Sequence, residues 1–244
     1  MKACIITTED PFYTPKIMHE LLKNKFISIE LVIMPEGFIN SKRIFSTFFI
    51  YGLFRFIKTV FQVLYNSAKG GAVRNIFIDN NIQVFITKNI NSYEVMNKLK
   101  SKKIDLIISN NCPQRIKSNI LEIPRLTSIN VHLGLLPKYR GLFPLFHAFI
   151  RDEEYVGVSV HFINIYFDDG KILSQKKIKI EKDDDLFSLY EKSFNVVPEL
   201  IFDAINKIIS NDSSEILENK KLESSYYSYP NLNEIILYHK KLKF

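Results

Sequence analysis

Asn130 and His132 stand two residues apart in NVHLGLLPKYRG, residues 130–141, the densest run of polar and turn-forming residues in the chain. On a β-strand such residues point to the same side, so an amide and an imidazole share one face while Val131 turns into the core. An amide N–H and an imidazolium N–H aimed at one spot can stabilise a developing oxyanion. The base that such chemistry needs is absent from this stretch. FDDG at 167–170 offers Asp168 and Asp169 beside a glycine that permits a tight turn. Taken alone, an N-x-H pair reads first as a capped loop or a satisfied structural histidine; its company makes it chemistry.

The elements that must carry the pair alternate in type. ACIITT (3–8) and SIELVIM (28–34) flank PKIMHELLKN (15–24), where Ile17, Met18, Leu21 and Leu22 recur at helical spacing. IQVFIT (82–87), SYEVMNKLKSK (92–102, capped by Ser92) and IDLIIS (104–109) repeat the unit, and TSINVH (127–132) adds the strand bearing the pair. This order predicts an α/β fold, a Rossmann-like, mostly parallel sheet with helices on both faces. Asn130 and His132 then sit at the carboxyl end of a strand, where open α/β sheets bind ligands. Beyond them, VGVSVHFIN (156–164) and KILSQKKIKI (171–180) form a β-hairpin joined by IYFDDG. Residues 185–209 form a long amphipathic helix, capped by Asp185 and interrupted near Pro198. A main domain, 1–209, is thus followed by a short C-terminal extension, 210–244, set off by the polar break SNDSSE (210–215). In it, Tyr226, Tyr227 and Tyr229 pack a final helix, 231–240, back onto the domain.

The combination of NVHLGLLPKYRG with GVSVHFINIYFDDGKILSQ resembles the folate-dependent formyltransferase family, most closely its sugar N-formyltransferases. The family pattern runs roughly N-x-H-x-S-x-L-P-x-Y-R-G, then G-V-T-x-H, then D-x-G-x-I-x-x-Q. The matches are Asn130, His132, Leu136, Pro137, Tyr139, Arg140 and Gly141; Gly157, Val158 and His161; and Asp168, Gly170, Ile172 and Gln175. The resemblance covers about residues 80–190. Its register selects Asp168, not Asp169, as the catalytic acid. It implies N10-formyltetrahydrofolate as donor. By the same resemblance the pterin would lie on the strand and loop DLIISNNCPQRIKSNILEIP (105–124), with Gln114, Arg115 and Ile116, and with Asn164, Tyr166 and Phe167, expected at the folate site. Gly134 stands where many members have Ser, and Ser159 where they have Thr; neither departure removes the three polar groups.

Members acting on glycinamide ribonucleotide carry a Gly-rich phosphate loop where this chain has the acidic TTEDPFY (7–13). Members acting on initiator methionyl-tRNA carry a C-terminal barrel for which the segment after 209 is too short. By elimination the expected acceptor is the primary amine of a nucleotide-linked amino sugar, for surface polysaccharide such as a lipopolysaccharide O-antigen. The alternatives are another small amine, or a non-catalytic protein of this fold that docks on a membrane or partner. In the expected reaction the amine attacks the formyl carbon. Protonated His132 and the Asn130 amide hold the oxyanion. Asp168 removes the excess proton, directly or through a water, and keeps His132 charged by proximity. Lys138 and Arg140 either meet a diphosphate or, for Arg140, anchor the loop. His161 supports the site or, by the leading reading, packs.

Bulk properties fit this picture. In 244 residues, 46% hydrophobic residues suffice for a buried core, which excludes fibrous and disordered classes. Two cysteines, Cys4 and Cys112, suggest neither a disulfide framework nor a metal site. The opening MKACIITTEDP is too weakly apolar for a signal peptide, so a cytoplasmic protein is expected. The net charge is +7, but the lysines are spread along the chain and do not call for nucleic acid; a basic surface would equally suit nucleotide phosphates or anionic lipid. The odd region is 43–71, aromatic and apolar but punctuated by Arg55 and Lys58. Two cations near its middle argue against a membrane crossing. It reads first as helices packing on the sheet, covering a partner or walling the substrate pocket, and second as a helix lying on a membrane surface. The aromatic content points to a homodimer.

Overall fold

The computed structural model describes residues 1–36, 41–211 and 214–242, apart from the side chains of Arg43 and Lys221. Asp212 and Ser213, within the polar break at 210–215, lie outside the described residues. In chain order the elements begin β1 (Lys2–Ile6), α1 (Thr14–Leu22), β2 (Ser28–Pro35), α2 (Ser41–Ala68), α3 (Ala72–Asp79) and β3 (Gln83–Thr87). Then come α4 (Tyr93–Lys102), β4 (Leu106–Asn110), α5 (Ser118–Leu121), β5 (Thr127–His132), β6 (Arg140–Gly141) and α6 (Pro144–Ile150). The last are β7 (Tyr155–Phe162), β8 (Ile172–Lys179), α7 (Leu186–Ser210), β9 (Tyr226–Tyr227) and α8 (Leu232–Lys241).

Seven strands form one sheet in the order β3-β2-β1-β4-β5-β7-β8. The first five are parallel, and β7 and β8 join antiparallel to their neighbours. The strand order reverses between β1 and β4, which opens a crevice at the carboxyl edge of the sheet. Strand alternation distributes the core. Ala3 and Ile5 of β1 pack into one layer with Ile17, Met18, Phe77, Val197 and Ile201 from α1, α3 and α7. Cys4 and Ile6 face the other layer, with Val95 and Leu99 of α4 and Ile120 of α5. Each fully buried aliphatic side chain contributes roughly 1.5–3 kcal/mol.

Local signals place the helices. Ser92 accepts a hydrogen bond from the Val95 amide at the start of α4, and Asp185 accepts from Phe187 and Ser188 at the start of α7. The interruption expected at Pro198 is absent: α7 runs unbroken from Leu186 to Ser210. Burial of Val197, Leu200, Ile201, Ala204 and Ile205 against the sheet holds it helical despite the missing amide. α2 is broken instead, at Gly52, whose φ of 72° and ψ of 165° are non-helical. The expectation that 43–71 packs on the sheet also fails. Leu53, Phe54, Ile57, Phe61 and Leu64 are exposed, so the second half of α2 rides on the surface. The C-terminal segment folds back over the body. β9 pairs with β6, and Ile235 and Tyr238 of α8 join Phe146, Phe149, Leu186 and Leu189 in a third apolar cluster.

Candidate active site

Strand register assembles the site. β5 and β7 run antiparallel with Asn130 opposite His161 and His132 opposite Ser159, so all four side chains rise on one face. The hairpin linking β7 to β8 carries Asp168, which adopts φ 49°, back beneath them. Its carboxylate lies 3.6 Å from His132 Nδ1 and 3.5 Å from His161 Nε2, and it accepts a 2.9 Å hydrogen bond from the Gly141 amide. The Asn130 amide nitrogen is 3.2 Å from His161 Nε2, while His161 Nδ1 is 2.8 Å from the Phe162 carbonyl. A carbonyl only accepts, so Nδ1 carries the proton and Nε2 receives the Asn130 N–H. His161, read from sequence chiefly as packing, is therefore a member of this cluster.

His132 donates from Nε2 to the Tyr139 carbonyl at 2.7 Å. Both its ring nitrogens are thus engaged, one by a carbonyl and one by a carboxylate. Gly134 makes room for this contact: a Cβ there would stand 2.7 Å from His132 Nε2. Burial would raise the Asp168 carboxyl. The charge of His132, the neighbouring His161 ring and the Gly141 N–H outweigh burial and hold the carboxyl well below the usual range.

Two further motif positions, Ser159 and Gln175, brace the loop after β5. Buried Ser159 Oγ donates to the Gly134 carbonyl at 2.6 Å and accepts from the Leu136 amide and from Gln175 Nε2, which also reaches the Leu136 carbonyl. The second brace comes from the C-terminal segment. Asn219 accepts from the Arg140 guanidinium at 2.6 Å and donates to the Asp168 and Gly170 carbonyls at 2.8 and 3.0 Å. Ser225 accepts from the Tyr139 amide through its hydroxyl and from the Arg140 amide through its carbonyl. Nothing in the sequence pattern singled out Asn219 or Ser225, because neither belongs to the ordered blocks.

The remaining candidates are spread around this centre. Arg140 is buried and tied to Asp169 at 2.6 Å and to Asn219, the loop-anchor alternative rather than a free cation for diphosphate. Lys138 is largely exposed, 3.8 Å from Glu153. Gln114 braces the loop after β3, accepting from the Ile90 amide and donating to the Lys88 carbonyl. Ile116 is buried in the α4–α5 layer. The Arg115 guanidinium lies 5.8 Å from the Phe167 ring. Tyr166 and Phe167 are exposed on the hairpin, and Asn164 donates to Asp169 at 3.3 Å. The loop after β1 is folded on itself. Glu9 accepts from the Val73 and Arg74 amides at the start of α3, and Asp10 from the Phe12, Tyr13 and Thr14 amides at the start of α1.

Fold and site define a class: a doubly layered α/β protein with an amide, two imidazoles and a carboxylate gathered at the carboxyl edge of its sheet. The chain belongs to the formyl transferase family, whose Formyl transferase domain matches residues 59–205. It is 37% identical over 145 residues to the bifunctional polymyxin resistance protein ArnA of Wigglesworthia glossinidia brevipalpis, a match covering 59% of this chain and 22% of that protein. It is 31% identical over 150 residues to methionyl-tRNA formyltransferase of Staphylococcus epidermidis, covering 62% of this chain and 48% of that one. The chain thus spans less than half the length of these curated relatives. WlaRD, a sugar 3N-formyl transferase solved in the presence of dTDP and 5-N-formyl-THF, shares the fold at a TM-score of 0.62. It is 22% identical, and the match covers 100% of this chain and 80% of that one.

Proposed function

We propose that this chain transfers a formyl group from N10-formyltetrahydrofolate to the primary amine of a nucleotide-linked amino sugar in the cytoplasm. The observation that carries the reading is the Asn130–His161–Asp168–His132 cluster at the carboxyl edge of the sheet. A neutral amine attacks the formyl carbon, forming the C–N bond as the carbonyl electrons move to oxygen. The Asn130 amide, aimed by His161, donates to that oxyanion, and His132 turns its Nε2–H from the Tyr139 carbonyl to the stronger, charged acceptor. Asp168, with its carboxyl held low, is a weak proton acceptor by itself. Its charge balances the imidazolium; as the oxyanion re-forms the carbonyl and the C–N bond to the donor breaks, His132 gives its proton to the departing folate nitrogen, and the excess proton of the attacking amine then restores the imidazolium. The exposed Arg115, Tyr166 and Phe167 form the wall against which the folate ring system stacks.

The acceptor assignment rests on the loop after β1. A phosphate seeks backbone amides at a helix N-terminus, and here Glu9 and Asp10 occupy those amides at α3 and α1. A ribonucleotide phosphate is therefore displaced from this loop by the chain's own carboxylates. Incubation with N10-formyltetrahydrofolate and a panel of acceptors tests the reading. The panel holds nucleotide-linked 3-amino and 4-amino sugars, glycinamide ribonucleotide and initiator methionyl-tRNA. A gain of one formyl mass on a sugar supports it; formylation confined to the ribonucleotide or the tRNA contradicts it.

A further inference from the structure

The second half of α2, residues 53–68, carries a continuous apolar face turned away from the body. Leu53, Phe54, Ile57, Phe61 and Leu64 are 63%, 84%, 56%, 71% and 63% exposed. At 100° per residue they span about 100° of arc, the width of a stripe that a helix ordinarily buries. The inner face, Phe56, Thr59, Val63 and Asn66, is partly buried, and Arg55 beside it reaches back to the body. No acidic residue occurs between Glu36 and Asp79, whereas Lys42, Arg43, Arg55, Lys58, Lys69 and Arg74 do. The charge of this one segment nearly matches the net +7 of the whole chain.

We infer that α2 docks the protein on an anionic lipid surface, with the apolar stripe entering the headgroup boundary and the cations meeting lipid phosphates. A crossing does not fit. Beyond Gly52 the helix measures about 24 Å, short of a hydrocarbon core of about 30 Å. It is also moored to the folded body. Arg55 pairs with Asp185 at 3.1 Å and lies 4.3 Å over the Phe187 ring, and His239 donates to the Phe49 carbonyl at 2.6 Å. A moored, amphipathic, cation-flanked helix lies in the plane of the interface. A second copy of the chain is a poorer occupant. In a two-fold contact the face meets itself, bringing cations against their own copies with no acidic partner in the segment. An anionic bilayer neutralises them.

Flotation of the full chain with vesicles of phosphatidylcholine alone, or of phosphatidylcholine and phosphatidylglycerol two to one, tests the inference. The chain is expected to float with the anionic vesicles, and added salt or neutral lipid should weaken this by about tenfold or more. Phe54→Ser with Phe61→Ser should lower the partition coefficient by about tenfold or more, and Lys58→Glu with Lys69→Glu by roughly tenfold. All four side chains are exposed, on the helix or just past its end, so circular dichroism should match wild type. No association with anionic vesicles, or equal and salt-independent association with both kinds, overturns the proposal. So does a dimer by analytical ultracentrifugation that Phe54→Ser with Phe61→Ser converts to monomer, which would give the face to a second copy.

Discussion

Asp168 has lost nearly all contact with water yet keeps its charge, because two imidazoles and the Gly141 amide surround it. In the unfolded chain its carboxyl titrates near the ordinary aspartate value of about 4; in the folded chain it titrates lower. The stability this difference supplies is present in full above about pH 4 and is lost as pH falls through the folded value. Urea unfolding of wild type and Asp168→Asn across pH should accordingly show a constant wild-type advantage near neutrality that shrinks in acid. An advantage that instead grows in acid would mean the carboxyl is raised. His161 offers a second test. His161→Leu keeps volume and apolar packing but removes the acceptor that orients Asn130. Turnover is expected to fall by about 10²-fold, the scale of one misplaced oxyanion donor, with the KM for folate little changed. A packing role would leave turnover near wild type. The sequence made Asn130, His132 and Asp168 legible through spacing and resemblance. It left His161 between support and packing because a strand residue's face is fixed only by register with its neighbour, which here sets His161 opposite Asn130.

At the scale of elements, the site hangs on two loops held by a third segment. Asn219 hydrogen-bonds the Arg140 guanidinium and the Asp168 and Gly170 carbonyls from a buried position. Asn219→Ala leaves these groups unsatisfied and should destabilise by about 2–4 kcal/mol in denaturant unfolding. Turnover should fall with it, because Asp168 and the Tyr139–Gly141 stretch lose a shared anchor. Asp185 does two jobs, capping α7 and pairing with Arg55 of α2. Asp185→Ala should cost about 1 kcal/mol, the usual value of a cap, and raise hydrogen exchange at the start of α7 and in the second half of α2 together. Exchange confined to α7 would show that α2 is held by other contacts. The strands, the Ser92 and Asp185 caps and the final helix follow from local pattern, and the structure has them within a residue or two. Pro198 and α2 do not, since tertiary burial keeps one helix whole and leaves the other exposed, which hydrophobicity alone cannot distinguish.

For the whole molecule, the chain's two halves meet at the site. β6, in the loop after β5, pairs with β9, and Tyr227 stacks on Tyr139 at 5.4 Å and on His147 at 4.5 Å. Opening of the C-terminal segment therefore loosens the cluster, and folate binding should resist unfolding of the entire chain. A folate at about a hundred times its dissociation constant adds about 2.7 kcal/mol, which corresponds to a rise in Tm of roughly 5–10 °C for a chain of this size. Thermal denaturation with and without 5-formyltetrahydrofolate measures it, and an unchanged Tm would place the folate elsewhere. The most direct measurement is single-turnover formyl transfer to the preferred acceptor by wild type, Asn130→Ala and Asp168→Asn, with folate affinity followed by calorimetry. The cluster predicts a fall of about 10²–10³-fold in rate for each variant with folate affinity within a few-fold of wild type; rates near wild type in either would contradict it.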